Sequence, residues 1–224
     1  VCVKNGEVLR ASAKTGRSHE GPCVASEAGT REIGKAGSRS MNMKRQFVVS
    51  DALIEFSMQA LIACGVEDEA AQVTARHLIG ADMRGVDTHG IVRLPLYISR
   101  IRRGLIAAGA EPIVVRESAT TAVMDAQNAL GQWSANQAMN RAIEKARDHD
   151  LGAVTVRHSN HYGAAAEYSL LAAEQGMIGI TTTNTAPLMP PKGGAARRVG
   201  NNPLSIGVPS ELEAPLTLDI AFSV

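Results

Sequence analysis

The sequence predicts an α/β protein with a helical front portion, and two observations carry that prediction. From residue 112 onward, short strand-like runs alternate with longer segments of helical period. Between residues 47 and 105 the apolar residues follow helical spacing alone. Alternation of this kind argues for α/β layers with at least some parallel pairing.

The elements follow in order. Ser50 suits the cap of a helix over 51–64, and Gly65 stops it. Residues 67–83 form a second helix, with acids in the first turn where the helix dipole favours them. Gly85 and Gly90 bracket a loop, and a third helix covers 93–103 and ends at Gly104. Strands are expected at 112–116 and 121–126. A helix over 131–149 places Ala135, Met139, Ala142, Ile143 and Ala146 on one face. Strand 153–157, helix 163–175, and strands 178–183, 204–208 and 215–220 complete the series. Residues 1–42 show neither period and are expected to be a disordered or spurious extension, with seven basic against four acidic residues in the first 40. The remainder divides into a helical portion, 43–110, and an α/β portion, 111–224. The chain stops at LTLDIAFSV, a strand-like run without a closing helix, so it is expected to be C-terminally truncated.

Composition excludes several classes. Of the 224 residues, 45% are hydrophobic and 20% charged, which suits a globular core and argues against wholesale disorder. A net charge near +1 gives no electrostatic case for nucleic acid or an anionic membrane. No apolar run is long enough to span a bilayer. The three cysteines, Cys2, Cys23 and Cys64, lack metal-finger or CxxC spacing. Cys64 reads as a small buried hydrophobe, and a cytoplasmic protein without disulfides is expected.

Chemistry concentrates in three loops. The first is Arg84-Gly-Val-Asp-Thr-His-Gly90, followed by Arg93 and Tyr97 on one helical face. An arginine there can grip a carboxylate through two parallel hydrogen bonds. The same residues equally suit a capped helix start with a surface arginine. The second loop is His158-Ser-Asn-His161-Tyr-Gly163, between a strand and a helix, where α/β sheets place ligands. A helix N-terminus disfavours imidazolium, which would keep His161 neutral. The alternative is a histidine that merely caps the helix. The spacing of His158 and His161 permits a metal, but no third ligand follows nearby and none is expected. The third region runs through Thr183–Pro187, Pro190–Gly194 and Gly200–Pro203, with Asp219 ending a later strand where a carboxylate could accept from ribose hydroxyls. There is no GxGxxG after the first strand, no Walker pattern and no GxSxG elbow, so no Rossmann site is expected by motif.

The runs ADMRGVDTHGIVRLPLYISRI, SNHYGAAAEYSLLAAEQGMIGITTTNTAP, GNNPLSIGVP and LTLDIAFSV occur in this order. Together they resemble the malate/L-lactate dehydrogenase family, which lies outside the Rossmann class and includes ureidoglycolate, sulfolactate and diketogulonate enzymes. The resemblance spans about residues 43–224. It implies a three-layer α/β/α fold with a mixed sheet and an added helical portion. It also implies NAD or NADP as cofactor, a small 2-hydroxy or 2-oxo acid as substrate, and a homodimer. His89 and His161 match positions given the acid/base role in different members. Arg93 matches the carboxylate grip, with Thr88 and Tyr97 lining the pocket. Thr185, Asp219, Ile220 and Ala221 match cofactor contacts. Thr88 stands where serine is common, Asn201 where threonine is common, and Phe222 replaces a smaller polar residue. Such residues suit the reduction of an oxo acid, which needs a hydride, a proton for the new alcohol and a cation for the carboxylate. A second expectation comes from the truncation: a catalytically silent fragment acting only as a binding or assembly module.

Overall fold

The computed structural model describes residues 48–211 and 214–221. The extension over 1–42, Cys2, Cys23 and Phe222 lie outside the described residues.

Three helices form the front portion. Helix α1 is Ser50–Ile62. Val49, in extended conformation, occupies its cap position, and no side chain caps it. Ser50 is therefore not the cap expected from sequence: it lies one residue inside the helix, buried. The chain turns back at Gly65, at φ +85°, into α2, Asp68–Met83. Asp68 and Glu69 occupy the first turn of α2, next to its free N–H groups. Two 3-10 turns follow, Asp87–His89 and Ile91–Arg93, and lead into α3, Leu94–Arg102. Asp82 anchors these turns by accepting the Ile91 N–H at 2.8 Å. Only a glycine leaves room for that carboxylate, since a Cβ on Gly90 would lie 1.7 Å from Asp82 Oδ1. One apolar cluster joins α1, α2 and α3 through Leu61, Leu78, Leu94 and Ile101, and it continues into Leu130 and Trp133. Cys64 is half-buried against this cluster.

The strands fall into two three-stranded sheets. In the first, β1 (Ile113–Glu117) pairs antiparallel with β2 (Thr121–Asp125), and β2 pairs parallel with β3 (Ala153–Arg157). The parallel pair is joined by α4, Gly131–His149, as a parallel connection requires. Alternation along β2 buries Ala122 and Met124. Of the α4 face expected from spacing, Ile143 alone is fully buried. The closest packing instead involves Gln132, Trp133, Ser134, Ala138 and Ile143, because α2 and α5 press on α4 from the sides as well as the sheet.

Helix α5, Ala166–Ala173, lies on the second sheet, whose strands β4 (Gly179–Thr182), β5 (Leu204–Val208) and β6 (Leu216–Ile220) run antiparallel. Its approach is close: a Cβ on Gly179 or Gly207 would stand 2.2 or 2.5 Å from the Ser169 carbonyl oxygen. Ser169 and Ser205 hydroxyls meet at 2.7 Å inside this contact. The mixed α/β architecture expected from the sequence is what the chain adopts. Helix α5 begins three residues later than the expected 163–175 because residues 158–165 form the loop that carries His161.

Candidate active site

The strand ends of the first sheet build the floor of the site. Gln127, Asn128 and His158 all take positive φ, which turns the chain sharply after β2 and after β3. The Asn160 amide donates to the Asn128 carbonyl at 3.1 Å, the Asn128 side chain at 2.9 Å and the Ala129 carbonyl at 2.9 Å. That ties the loop after β3 to the start of α4. The approach requires Gly131, where a Cβ would fall 2.3 Å from the His161 oxygen and 2.4 Å from that of Asn160. His161 is thereby held over α3. Its Nδ1 lies 2.7 Å from the Tyr97 hydroxyl, and Gln132 Nε2 donates to that same hydroxyl at 2.8 Å.

The front portion supplies the other half. The 3-10 turn puts His89 against His161, rings stacked with centroids 5.5 Å apart and planes 18° apart. Thr88 Oγ1 lies 2.9 Å from His89 Nδ1. Arg93 Nε donates to the Thr88 carbonyl at 2.5 Å, which fixes the guanidinium base. Its terminal nitrogens have no hydrogen-bond partner among the described residues. The fold therefore brings His89, His161, Thr88 and Arg93 together. It places Tyr97 behind His161, 1% exposed, with its hydroxyl on the histidine Nδ1.

The electrostatics favour neutral imidazoles. Loss of solvent around the ring lowers the His161 pKa to about 4, and the positive fields of His89, Arg93 and Arg100 push the same way. The residue as a whole remains exposed to solvent, while its ring has His89 and Tyr97 as neighbours at centroid distances of 5.5 and 6.0 Å. His89 is lowered by burial and by Arg93, with Asp219 opposing. Burial raises the Tyr97 hydroxyl to about 12, against the Gln132 hydrogen bond and the two arginines.

Asp219, next to last in β6, acts on His89 through its charge. Asp219 Oδ2 accepts the Ala166 N–H at 3.0 Å, so its carboxylate caps α5. Arg84 pairs with Glu167 in the first turn of α5 and also feels Asp219. The Tyr162 hydroxyl is buried in the same neighbourhood without a hydrogen-bond partner, and its pKa is raised by burial and by Asp219. Ile220 and Ala221 lie at the exposed end of β6. Thr185 sits in a separate turn, where its N–H and hydroxyl are taken by Asn202 and Asn201 at 3.0 and 2.9 Å. Among the described residues no hydrogen bond links that turn to the histidine pair.

His158 turns away and pairs with Asp125 at 2.9 Å. Among the described residues no three metal-binding side chains gather. A surface cavity of about 370 Å³ beside α4 is lined by Glu117, Arg141 and Lys145, where both cations pair with the carboxylate, and neither His89 nor His161 lines it. Sequence reasoning missed Gln132 and Asn160. The available signal was a glutamine beside Trp133 in the first turn of α4, and an asparagine between two histidines.

A stacked histidine pair lies beside Arg93 at strand ends of a mixed α/β fold without a Rossmann motif. The sequence profile of malate/L-lactate dehydrogenase matches residues 48–224, and the chain belongs to that family. It is 42% identical over 177 residues to a malate dehydrogenase of Pyrococcus horikoshii, covering 79% of this chain and 49% of that protein. It is 37% identical over 167 residues to a 2,3-diketo-L-gulonate reductase of Shigella boydii, covering 74% and 49%. A solved malate dehydrogenase structure from Entamoeba histolytica superposes with a TM-score of 0.78 at 43% identity, covering 79% of this chain and 49% of that one. The chain thus spans about half the length of the curated relatives it matches.

Proposed function

We propose that this chain carries the proton-transfer and carboxylate-binding part of an NAD(P)-dependent oxidoreductase that interconverts a small 2-hydroxy acid and its 2-oxo acid. The observation that carries this reading is the His89–His161 stack beside Arg93, whose terminal nitrogens have no hydrogen-bond partner among the described residues. Family membership favours it over a silent binding module.

Arg93 would take the substrate carboxylate with its terminal nitrogens while Thr88 holds its base, an arrangement that fixes the reacting carbon in place. His161 would hold the proton exchanged with the substrate oxygen, with His89 shielding one face of its ring from water. The cofactor, when bound, supplies or removes the hydride at that carbon. The described residues fit such a group in one respect: the buried Tyr162 hydroxyl lacks a partner next to Asp219, where a hydrogen-bonding ligand would satisfy it. Asp219, Ile220 and Ala221 would meet the cofactor from β6, and Thr185 from the neighbouring loop. We read the protein further as a cytoplasmic homodimer. The apolar side chains exposed on β1 and β6 support the dimer, and the lack of a helix able to cross a membrane among the described residues agrees with that location.

The test is consumption of NADH or NADPH with a panel of small 2-oxo acids. Turnover with at least one acid is expected, and His161→Ala should lower it at least ~100-fold, the scale of acid–base catalysis. No turnover with either cofactor across the panel defeats the reading. Unaltered turnover after His161→Ala assigns the acid/base role to His89.

A further inference from the structure

We propose that Gln132 and Tyr97 are positioning residues that decide which nitrogen of His161 carries its proton, presenting Nε2–H to the substrate and presetting the site for an acceptor oxygen, that of a 2-oxo acid. The substrate class rests on the functional reading above; the hydrogen-bond order does not.

The order follows from counting protons. Gln132 is fully buried, 0% exposed, and its Nε2 donates to the Tyr97 oxygen at 2.8 Å. A phenol has one hydrogen. With the oxygen already accepting from Gln132, that hydrogen points at His161 Nδ1, 2.7 Å away. Nδ1 is then an acceptor, and a neutral ring must carry its hydrogen on Nε2. A ring carrying its hydrogen on Nδ1 would either leave the buried Tyr97 hydrogen without an acceptor or need the Gln132 amide turned over, so that Oε1 accepts from Tyr97 and Nδ1–H donates to the phenol. The observed orientation leaves Oε1 without a partner. The reverse would leave both amide hydrogens without one, and orphaned buried N–H groups are the rarer case.

The relay also accounts for proton supply from a ring that stays neutral. When the bound cofactor supplies its hydride to the oxo carbon, the Nε2–H bond would break and an O–H bond would form on the substrate oxygen. Simultaneously the Tyr97 O–H bond breaks and Nδ1–H forms. Burial disfavours the phenolate left behind, and the Gln132 N–H together with the fields of Arg93 and Arg100 opposes that cost while it exists. One solvent proton entering at Nε2 restores both bonds. The imidazole exchanges tautomers without ever becoming a cation.

The experiment is nitrogen NMR on the full protein labelled in its histidine rings, with His161 assigned by its loss in His161→Gln. The wild type is expected to show Nε2 as N–H and Nδ1 as an acceptor, with a coupling from the Tyr97 hydroxyl proton to Nδ1. Tyr97→Phe and Gln132→Met should each shift His161 toward a tautomer mixture, and in the active protein lower kcat more than they raise KM. A wild-type ring protonated on Nδ1 overturns the inference even if neither variant folds. Folded variants with an unchanged tautomer overturn it as well. An Nε2–H ring that responds to both variants, in a protein that reduces no 2-oxo acid, upholds the hydrogen-bond order and sinks the functional reading.

Discussion

At the residue scale, Arg93 is the side chain with the most defined task. Its Nε is committed to the Thr88 carbonyl, and a lysine, whose donors diverge from one nitrogen, could not both hold that contact and present two parallel donors to a carboxylate. A charged hydrogen bond contributes roughly 1.5–3 kcal/mol, so Arg93→Lys should raise KM for the oxo acid roughly 10- to 100-fold. Initial rates across substrate concentrations would show it, and an unchanged KM would remove Arg93 from the carboxylate. His77 makes a different statement. It packs against Tyr168 at 5.0 Å between ring centroids, its Nδ1 has no partner, and burial, aided by Arg84, lowers its pKa from 6.5 to about 4. Its stabilising effect is therefore fully present above pH 6.5 and is lost as pH falls toward 4, because the unfolded chain takes up the proton first. The loss is on the order of 3 kcal/mol. His161 contributes in the same direction. Urea midpoints measured from pH 7 to 4 should fall steeply, and His77→Gln should flatten the slope. An identical slope in that variant would refute the assignment.

At the element scale, the site depends on two helix starts. Helix α4 begins against the carbonyls of Asn160 and His161, and only Gly131 allows that approach. Gly131→Ala should cost about 1–3 kcal/mol through overpacking and displace the His161 loop. Turnover should then fall with far-UV circular dichroism nearly unchanged; full activity would show that the loop tolerates the shift. Helix α5 is capped by Asp219 from β6, and Asp219→Ala should cost about 1 kcal/mol in thermal stability. Most element positions were legible beforehand, since apolar spacing identifies a helix such as Asp68–Met83 and β-branched runs identify Ala153–Arg157. The cap of α1 was not, because Ser50 and Val49 differ in burial, which spacing does not report. The packed face of α4 was not legible either: α2 and α5 crowd it from directions that a single helical period cannot anticipate.

At the scale of the whole molecule, a helical portion and two sheets meet around the histidine pair. Strand β1 exposes Ile113, Val114 and Val115, and β6 exposes Leu216, Leu218 and Ile220. Apolar residues arrayed on edge strands need a cover. Light scattering after size exclusion should give twice the 23.6 kDa of this chain. A monomer at micromolar concentration would contradict the dimer.

The sequence by itself determined the α/β class, the family and the local motifs that hold His89, Arg93 and His161. Those features repeat within a turn, a strand or a short loop, where side-chain period and motif order are enough. The tertiary structure alone decided that Tyr97 stands behind His161, 64 positions away in sequence, and that Gln132 completes the pair from a third element. It also decided that Asp219 caps α5. The physical reason is range. Periodicity fixes which face of an element is apolar, but the partner that a buried polar atom finds depends on which faces the packing brings together.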